Sequence, residues 1–545
     1  MDDSGNASVT DLWRRPVRVA CLICLIGLAW QTYRFNWVID DAFISFRYAK
    51  HLAQGHGLRW NVGETPPVEG YSNPLWVLAL APFEAIGWPS PVVSRVLSAV
   101  CGAILLCRVV RLLNQGLGLS LLPLTLCGAF LATFPPAAAW STSGMAMMPY
   151  ALLMFLTFEF LLADADAPRG LPAGVAAALL ILVRADGMVW VAGMIALSAA
   201  LAVMRRDRAA IKPILTCSLL AAVTLGALTA FRMSYFGWPL PNTVYSKVGL
   251  CAMTLERGGR YLLEFLLAFP HVALLVAAAA IVSARDRQGR TLGLLATTMT
   301  VGSFGYVVLV GGDWMPMCRL LVPALPFVAL LLGVVLKRLS PWPTAAAGCG
   351  VAAIVLSLLP GYNLHPVPHS VRDRLDFHYA DSKYASEYER WSESRNATGV
   401  RTEFARILER HTKPGESIVR DAIGAIGYYT DLFIYDRIGL VSVEIAHRQA
   451  PRGRLPAGHD KMVGREYFLK YRPTYYLAKL IPLPQGMRGT ATPGRRLRFR
   501  GEVPLSDRFP AEAKATYEPV AYPILRPGER KPRMALLLFM RKDLL

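Results

Sequence analysis

The sequence predicts a polytopic α-helical membrane protein that carries a soluble domain at its C-terminal end. Of its 545 residues, 54% are hydrophobic and only 18% are charged, whereas a soluble protein carries about a quarter charged residues. Long apolar runs recur over the first two thirds of the chain, and basic residues gather in short clusters between them, giving a formal net charge of +20. This composition excludes an ordinary soluble enzyme, a disordered chain and a disulfide-stabilised scaffold.

About eleven apolar runs are interpreted as membrane-spanning helices, although several are shorter than the roughly 20 residues that a span requires. The first run follows Arg14 and Arg15 and is similar to a signal peptide. No small-residue cleavage site follows it, so we interpret it as a span with its N-terminus in the cytoplasm. The predicted spans are Val17–Tyr33, Arg95–Val110, Ser120–Phe134, Met145–Ala163, Leu171–Val183, Met188–Met204, Ile211–Phe231, Tyr261–Ser283, Thr291–Val310, Leu320–Leu336 and Thr344–Leu359.

The short apolar stretch Leu75–Trp88 lies between two prolines and is predicted to lie in the membrane interface. If it does not cross, five basic clusters share one side of the membrane, which satisfies the positive-inside rule. These clusters are Arg14/Arg15, Arg108/Arg111, Arg205/Arg206/Arg208/Lys212, Arg285/Arg287/Arg290 and Lys337/Arg338. The first outer loop is then residues 34–94, and the C-terminal region lies outside the cytoplasm.

The composition becomes polar at about residue 360. We therefore predict a membrane domain over residues 1–360 and an extracytoplasmic soluble domain of α/β type over residues 361–545. In the second domain Phe404–His411 continues a helical pattern. Short strands are predicted at Glu416–Asp421, Leu432–Asp436 and Ala535–Met540. None of the nine cysteines lies in this domain, so it folds without disulfides.

Polar motifs fall on the outer side of this topology, whereas the inner loops are short, basic and featureless. Because polar residues near lipid are costly and often functional, the asymmetry predicts an active site at the outer boundary between membrane and water. A transporter would instead place polar groups at mid-depth in broken helices. The motifs are Asp40-Asp41, Glu69-Gly-Tyr-Ser-Asn73, Arg184-Ala-Asp-Gly187, Pro241-Asn-Thr-Val-Tyr-Ser-Lys247 and Gly311-Gly-Asp-Trp-Met315.

Asp40 and Asp41 are the predicted catalytic residues. They open the amphipathic segment Ala42–Gln54, in which Arg47 is predicted to support the site. An Asp before a helix is also a good N-cap, so one Asp could cap while the other acts as a general base. The two carboxylates could alternatively hold a divalent cation, although no third ligand is evident. No other cofactor is predicted.

Three basic residues are predicted to bind the phosphate of an anionic ligand. Arg184 could be positioned by Asp186 for this purpose, or the two side chains could simply pair. Arg319 follows a loop whose two glycines allow an unusual backbone path, and Lys247 could be either a phosphate contact or a solvated loop lysine. The supporting residues predicted in the same motifs are Glu69, Asn73, Asp186, Asn242, Asp313 and Trp314.

Several blocks of the sequence resemble bacterial glycosyltransferases of the GT-C fold. The first outer loop contains Asp40-Asp-Ala-Phe-Ile-Ser-Phe-Arg-Tyr-Ala49, Gly55-His-Gly-Leu58, Asn61-Val-Gly-Glu64 and Glu69-Gly-Tyr-Ser-Asn-Pro-Leu-Trp76. These blocks are similar to those of the mycobacterial terminal arabinofuranosyltransferase family, and His56 is predicted to support the site within them. Later blocks that resemble the same family are Gly311–Met315, Gly424–Tyr429, Asp436–Leu440 and Gly458–Lys461.

The resemblance implies a GT-C-like fold, a polyprenyl-phosphate sugar donor and an extracytoplasmic glycan or lipid acceptor. Arabinofuranose is the expected sugar, and an Asp of the first outer loop is the implied catalytic carboxylate. The expected location is the bacterial inner membrane, with the active site on the periplasmic side. Because the donor lipid supplies its own leaving group, no nucleotide site is needed, and the sequence contains no P-loop motif.

Other functions stay open at the level of sequence. They are transfer of another sugar to lipopolysaccharide or protein, transport or flipping of a lipid-linked sugar, and non-catalytic glycan binding. The lipid bilayer is an expected partner in each case. Nucleic acid is not an expected partner, because a large share of the positive charge lies in the predicted cytoplasmic loops.

Overall fold

The computed structural model describes residues 9–163, 169–247, 249–285, 289–372, 385–449, 458, 460–483, 511–525 and 531–545. Most of the described chain before residue 360 is helical. Its α-helices are α1 Val9–Arg34, α2 Ala42–Ala53, α3 Pro74–Ala85, α4 Ser90–Leu117, α5 Leu121–Thr133, α6 Pro135–Thr142, α7 Met147–Phe158, α8 Gly170–Val183, α9 Gly187–Arg205, α10 Ile211–Tyr235, α11 Asn242–Tyr245, α12 Ala252–Ala268, α13 Pro270–Arg285, α14 Arg290–Val310, α15 Leu325–Arg338 and α16 Pro343–Leu358. The later helices are α17 His369–Arg372, α18 Glu387–Glu409, α19 Gly424–Tyr429, α20 Val443–Ala446 and α21 Ala511–Thr516.

Seven of the described helices are long and apolar enough to cross a membrane, or up to nine if each of two bent pairs forms one span. The bent pairs are α5 with α6, at 54°, and α12 with α13, at 92°. Three shorter apolar helices are α3, Pro74–Ala85; Met147–Ala163, in which α7 continues as one π-helical turn; and α8, Gly170–Val183. Eleven crossings would require both bent pairs and two of these shorter helices to cross, so the number eleven stays a prediction.

The predicted span Tyr261–Ser283 is not one straight helix. α12 ends at Ala268, Phe269 interrupts the chain, and α13 begins at Pro270. Proline has no N–H and therefore cannot continue the hydrogen bonding of the preceding helix. α12 is amphipathic and buries Arg257, Tyr261 and Glu264, which is why a search for apolar runs detects only part of it.

The elements from α18 onward form the C-terminal sheet domain. Its strands are β1 Ser417–Arg420, β2 Phe433–Asp436, β3 Tyr475–Pro482, β4 Tyr517–Ile524 and β5 Met534–Arg541. Their order is β2-β1-β3-β5-β4, with β1 parallel to β2 and β3, and β5 antiparallel to β3 and β4. The three predicted strands are confirmed as β1, β2 and β5, and α18 contains most of the predicted helical segment. The edge strand β4 contains two prolines, which weaken its strand pattern in the sequence.

Arg47 of α2 links the helical region to the C-terminal sheet domain. Its side chain is buried, and its guanidinium donates to the carbonyl oxygens of Trp60 at 2.7 Å, Gly427 at 2.8 Å and Leu432 at 2.8 Å. The last two belong to the C-terminal sheet domain. Because a buried charge needs such hydrogen bonds to offset its lost hydration, Arg47 strongly favours the docked arrangement.

Asp40 makes a second docking contact. Its buried carboxylate accepts hydrogen bonds from the backbone N–H groups of Gly424 at 3.3 Å and Ala425 at 3.1 Å, at the start of α19. α19 approaches so closely that a Cβ at Gly424 would overlap the carbonyl oxygen of Asp40. A Cβ at Gly427 would lie 2.5 Å from the ring of Trp60. The two glycines of this block therefore permit close packing of α19 on the segment that contains Asp40 and Trp60.

We expect Gly424→Ala to lower the melting temperature of the purified protein in detergent, because the added methyl group forces α19 away from Asp40. Gly399→Ala is the matched control. A Cβ at Gly399, on α18, would meet nothing within 4 Å, and this change in a helix is stabilising by about 0.5–1 kcal/mol. Equal melting temperatures for the two variants would contradict the packing described for α19.

Candidate active site

A cavity of about 500 Å³ lies between the helical region and the C-terminal sheet domain. The helical region contributes lining residues from the segments 41–45, 70–73, 184–186, 243–247 and 306–320. The sheet domain contributes Asp421, Ile423, Ile438, Leu440, Gly458 and Asp460. Both halves of the chain are therefore needed to form the cavity.

Eight of the predicted site residues line this cavity, although they come from distant parts of the sequence. They are Asp41, Asn73, Arg184, Asp186, Lys247, Asp313, Trp314 and Arg319. Such convergence is expected if their motifs occupy one side of the membrane. Together with the lining residues of α12 and the sheet domain, five acidic and four basic side chains surround the cavity.

Arg184 and Asp186 form an ion pair at the junction of α8 and α9. Nε and Nη2 of Arg184 donate to the two carboxylate oxygens at 2.9 and 3.0 Å. The Tyr306 hydroxyl donates to the same carboxylate at 2.5 Å, and the guanidinium lies 5.0 Å from the centre of the Tyr150 ring. The charge of Arg184 is therefore already balanced by its neighbour.

Arg319 forms an ion pair with Asp313, whose Oδ2 lies 2.6 Å from the Arg319 Nε. The loop before Arg319 begins with Gly311 and Gly312, at φ values of 81° and 67°. A Cβ at Gly312 would lie 2.8 Å from the Cβ of Tyr261. The two glycines thus allow the unusual backbone path that the sequence predicts, and this path brings Asp313 to Arg319.

A third pair joins Arg257 of α12 to Asp460 of the C-terminal sheet domain at 2.7 Å, with both side chains buried. The sequence does not single out either residue as a site residue. Arg257 lies before the predicted span, and its partner is 203 positions away along the chain. The one signal available was the position of Asp460 within a block that resembles the glycosyltransferase family.

Asp41 and Lys247 are the charged lining residues without an ion pair or a side-chain hydrogen bond within the described ranges. Burial and the adjacent Asp40 raise the pKa of Asp41 to about 7, while Arg319 acts in the opposite direction. Asp41 can therefore exchange a proton near neutral pH. The cavity thus presents one free carboxyl group and one free amine among side chains that are already paired.

The structure does not bring the remaining predicted site residues to the cavity wall. They are Asp40, Arg47, His56, Glu69 and Asn242. Glu69 is buried against Arg232 of α10 at 2.8 Å, and Asn242 donates to two carbonyl oxygens of the C-terminal sheet domain at 2.8 and 2.9 Å. His56 is exposed and packs against His51. Apart from exposed His56, these side chains stabilise loops and the contact between the two regions.

The carboxylates of Asp40 and Asp41 have different surroundings. The carboxylate of Asp40 is hydrogen bonded to α19, whereas Asp41 faces the cavity. Within the part of the chain that the structure describes, no group of three or more His, Cys, Asp or Glu side chains is placed to hold a metal ion. The arrangement therefore gives no support to the divalent cation considered from the sequence.

The architecture confirms the predicted GT-C-like fold, with apolar helices followed by a sheet domain. Two solved structures that share it are those of ArnT from Cupriavidus metallidurans. The structure bound to undecaprenyl phosphate has a TM-score of 0.55 and 12% identity, covering 97% of this chain and 98% of that one. The apo structure has a TM-score of 0.54 and 13% identity, covering 98% of each chain. A domain of unknown function, DUF8728, matches residues 386–534, and no curated protein matches the sequence.

We expect Asp41→Asn to stabilise the folded protein at alkaline pH. The pKa of Asp41 is about 7 in the folded protein and about 3.9 in an unfolded chain. The folded state therefore binds more protons between these values, and stability falls as the pH rises through this range. The uncharged amide avoids this loss.

The measurement is the melting temperature of wild type and Asp41→Asn in detergent. We expect the variant to melt a few degrees higher at pH 8 and at the wild-type temperature near pH 4. A variant that melts lower than wild type at pH 8 would show that Asp41 is paired rather than free.

Proposed function

We propose that the protein is a membrane glycosyltransferase that moves a sugar from a polyprenyl-phosphate donor to an extracytoplasmic glycan or lipid acceptor. This proposal rests on the cavity, in which Asp41 and Lys247 have no ion-pair partner within the described ranges, whereas the other charged lining residues are paired. A free carboxylate can take a proton from an acceptor hydroxyl, and a free ammonium can bind a phosphate. ArnT, whose fold this chain shares, binds undecaprenyl phosphate in one of its crystal structures, which supports this class of donor.

An apolar wall connects the cavity to the surface of the helical region. Its exposed side chains are Val244, Leu250, Leu309 and Val310, at 41%, 67%, 55% and 42% exposure. The last two end α14, one of the helices that could cross a membrane. An isoprenoid chain covering this wall would remove apolar surface from water, at about 25 cal/mol for each Å². The lipid would thus leave the cavity laterally while its phosphate stays inside.

Lys247 is the proposed main contact of the donor phosphate. Its side chain has no partner within the described ranges, so binding an anion breaks no existing ion pair. Arg184 and Arg319 are paired with Asp186 and Asp313, and we propose that they add N–H donors rather than uncompensated charge. The low dielectric of the boundary region strengthens each of these contacts.

In the proposed reaction, Asp41 accepts the proton of the acceptor hydroxyl as the hydroxyl oxygen bonds to the anomeric carbon of the sugar. The bond between this carbon and the donor phosphate oxygen breaks. The polyprenyl phosphate leaves as an anion that faces Lys247, so it requires no protonation. Asp40, which is held by α19, is proposed to fix the backbone next to Asp41 rather than to react.

We propose arabinofuranose as the sugar, because the first outer loop resembles the arabinofuranosyltransferase family. Transfer of another sugar to lipopolysaccharide or protein is the alternative within the same chemistry. The positive-inside distribution of basic clusters supports a location in the bacterial inner membrane, with the cavity and the C-terminal sheet domain on the periplasmic side.

We expect Asp41→Asn to lower sugar transfer by about 10²–10⁴-fold, the range for loss of a general base, without lowering stability. Asp40→Asn should reduce transfer less and lower the melting temperature, because a neutral amide makes a weaker cap of α19. The assay is transfer of labelled sugar in membranes supplied with polyprenyl-phosphate arabinofuranose.

Asp431→Asn is the matched control, since Asp431 is 57% exposed and lies outside the cavity. Full transfer by Asp41→Asn would overturn the assignment of Asp41 as the base. Movement of a labelled lipid across liposomes without any glycosylation would overturn the glycosyltransferase proposal and favour a flippase.

A further inference from the structure

The segment Gly311–Arg319, here called the cavity loop, has a backbone that must be held in place from outside. In addition to its glycines, Met317 and Cys318 adopt left-handed conformations, with φ values of 58° and 44°. Each such residue with a side chain costs about 1–2 kcal/mol. Strained residues of this kind persist only where the surrounding structure enforces them. The cavity loop also carries the pair Asp313–Arg319, so its shape determines where that pair lies.

Helix α18 of the C-terminal sheet domain supplies two of the contacts that hold this loop. Glu387 accepts a hydrogen bond from the backbone N–H of Cys318 at 3.1 Å, through Oε2. Arg390 donates from Nη2 to the carbonyl oxygen of Trp314 at 2.5 Å. The two side chains are joined by an ion pair of 2.7 Å and are 4% and 15% exposed. This ion pair therefore contacts the loop at two points, the Cys318 N–H and the Trp314 carbonyl oxygen.

The position of this pair is itself fixed by neighbouring elements. Ser386 begins α18 with a reciprocal cap, in which Glu389 N–H donates to the Ser386 hydroxyl at 3.1 Å and Ser386 N–H donates to the Glu389 carboxylate at 2.8 Å. Arg390 also lies 3.5 Å from Glu264 of α12. Because the cap sets where the helix starts, Glu387 is held in the first turn, facing the loop.

We propose that Glu387 and Arg390 are positioning residues that hold the cavity loop so that Arg319, paired with Asp313, faces the donor phosphate. Neither residue lines the cavity, so both act through the loop. The nature of the ligand, a polyprenyl phosphate, rests on the function proposed above. The C-terminal sheet domain thereby contributes to donor binding without touching the donor, in addition to closing one side of the cavity.

The test compares Arg390→Gln with Glu393→Gln, a control on the exposed face of the same helix. In the full-length protein, we expect Arg390→Gln to raise KM for the polyprenyl-phosphate donor about tenfold while kcat changes less than about threefold. Arg390→Lys, which keeps the charge but loses the forked geometry, should give an intermediate KM. A general structural defect lowers the amount of active protein, and with it the apparent kcat, but leaves KM unchanged. A fall in kcat with unchanged KM would therefore indicate such a defect and overturn the proposal.

Two measurements decide the proposal without sugar transfer. Hydrogen–deuterium exchange over residues 311–319 should be faster in Arg390→Gln than in wild type or Glu393→Gln. The rise in melting temperature caused by added polyprenyl monophosphate should shrink in the same variant. Unchanged exchange and an unchanged ligand effect would overturn the proposal. If wild type transfers no sugar but still binds polyprenyl monophosphate, the proposed function fails while these two measurements still test the positioning role.

Discussion

The cost of removing charge from water governs how the cavity is built. An ion left unpaired in a buried place is strongly destabilising, whereas a paired ion is tolerated. The pairs at the wall are Arg184–Asp186, Arg319–Asp313 and Arg257–Asp460. These pairs let a charged site form at the edge of an apolar helical region. Asp41 and Lys247 remain unpaired among the described residues, so a ligand can compensate their charges. The ion pairs therefore determine which side chains can bind a ligand, in addition to stabilising the fold.

The adjacent residues Asp40 and Asp41 show how domain docking and chemistry are connected. Asp40 is bound by the N-terminus of α19, and nearby Arg47 is bound by two carbonyl oxygens of the same domain. These contacts hold the C-terminal sheet domain against the segment that contains Asp40 and Arg47, where it closes the cavity beside Asp41. The same domain holds the cavity loop through the hydrogen bond that Arg390 donates to the carbonyl oxygen of Trp314. The different surroundings of these two neighbouring carboxylates thus depend on a domain that begins more than 300 residues later.

Much of the helical fold could be predicted from the sequence, because an apolar run and its basic flanks are local signals. The predicted span Met188–Met204 differs from α9, Gly187–Arg205, by one residue at each end. The bend between α12 and α13 could not be predicted, because it depends on an amphipathic face whose partners are distant. The motifs that line the cavity could be singled out from the sequence. Which Asp reaches the cavity could not be predicted, since Asp40 is fixed by Gly424, 384 positions away.

In the proposed complex, Lys247 binds the phosphate of a polyprenyl phosphate inside the cavity, beside Asp41. The most direct measurement is a cryo-electron microscopy structure of the full chain in nanodiscs containing polyprenyl monophosphate. We expect a phosphate oxygen about 2.7–3.2 Å from the Nζ of Lys247, with the isoprenoid chain leaving the cavity past Leu309. A headgroup bound outside the cavity, or Lys247 paired with a carboxylate while the lipid is bound, would contradict it.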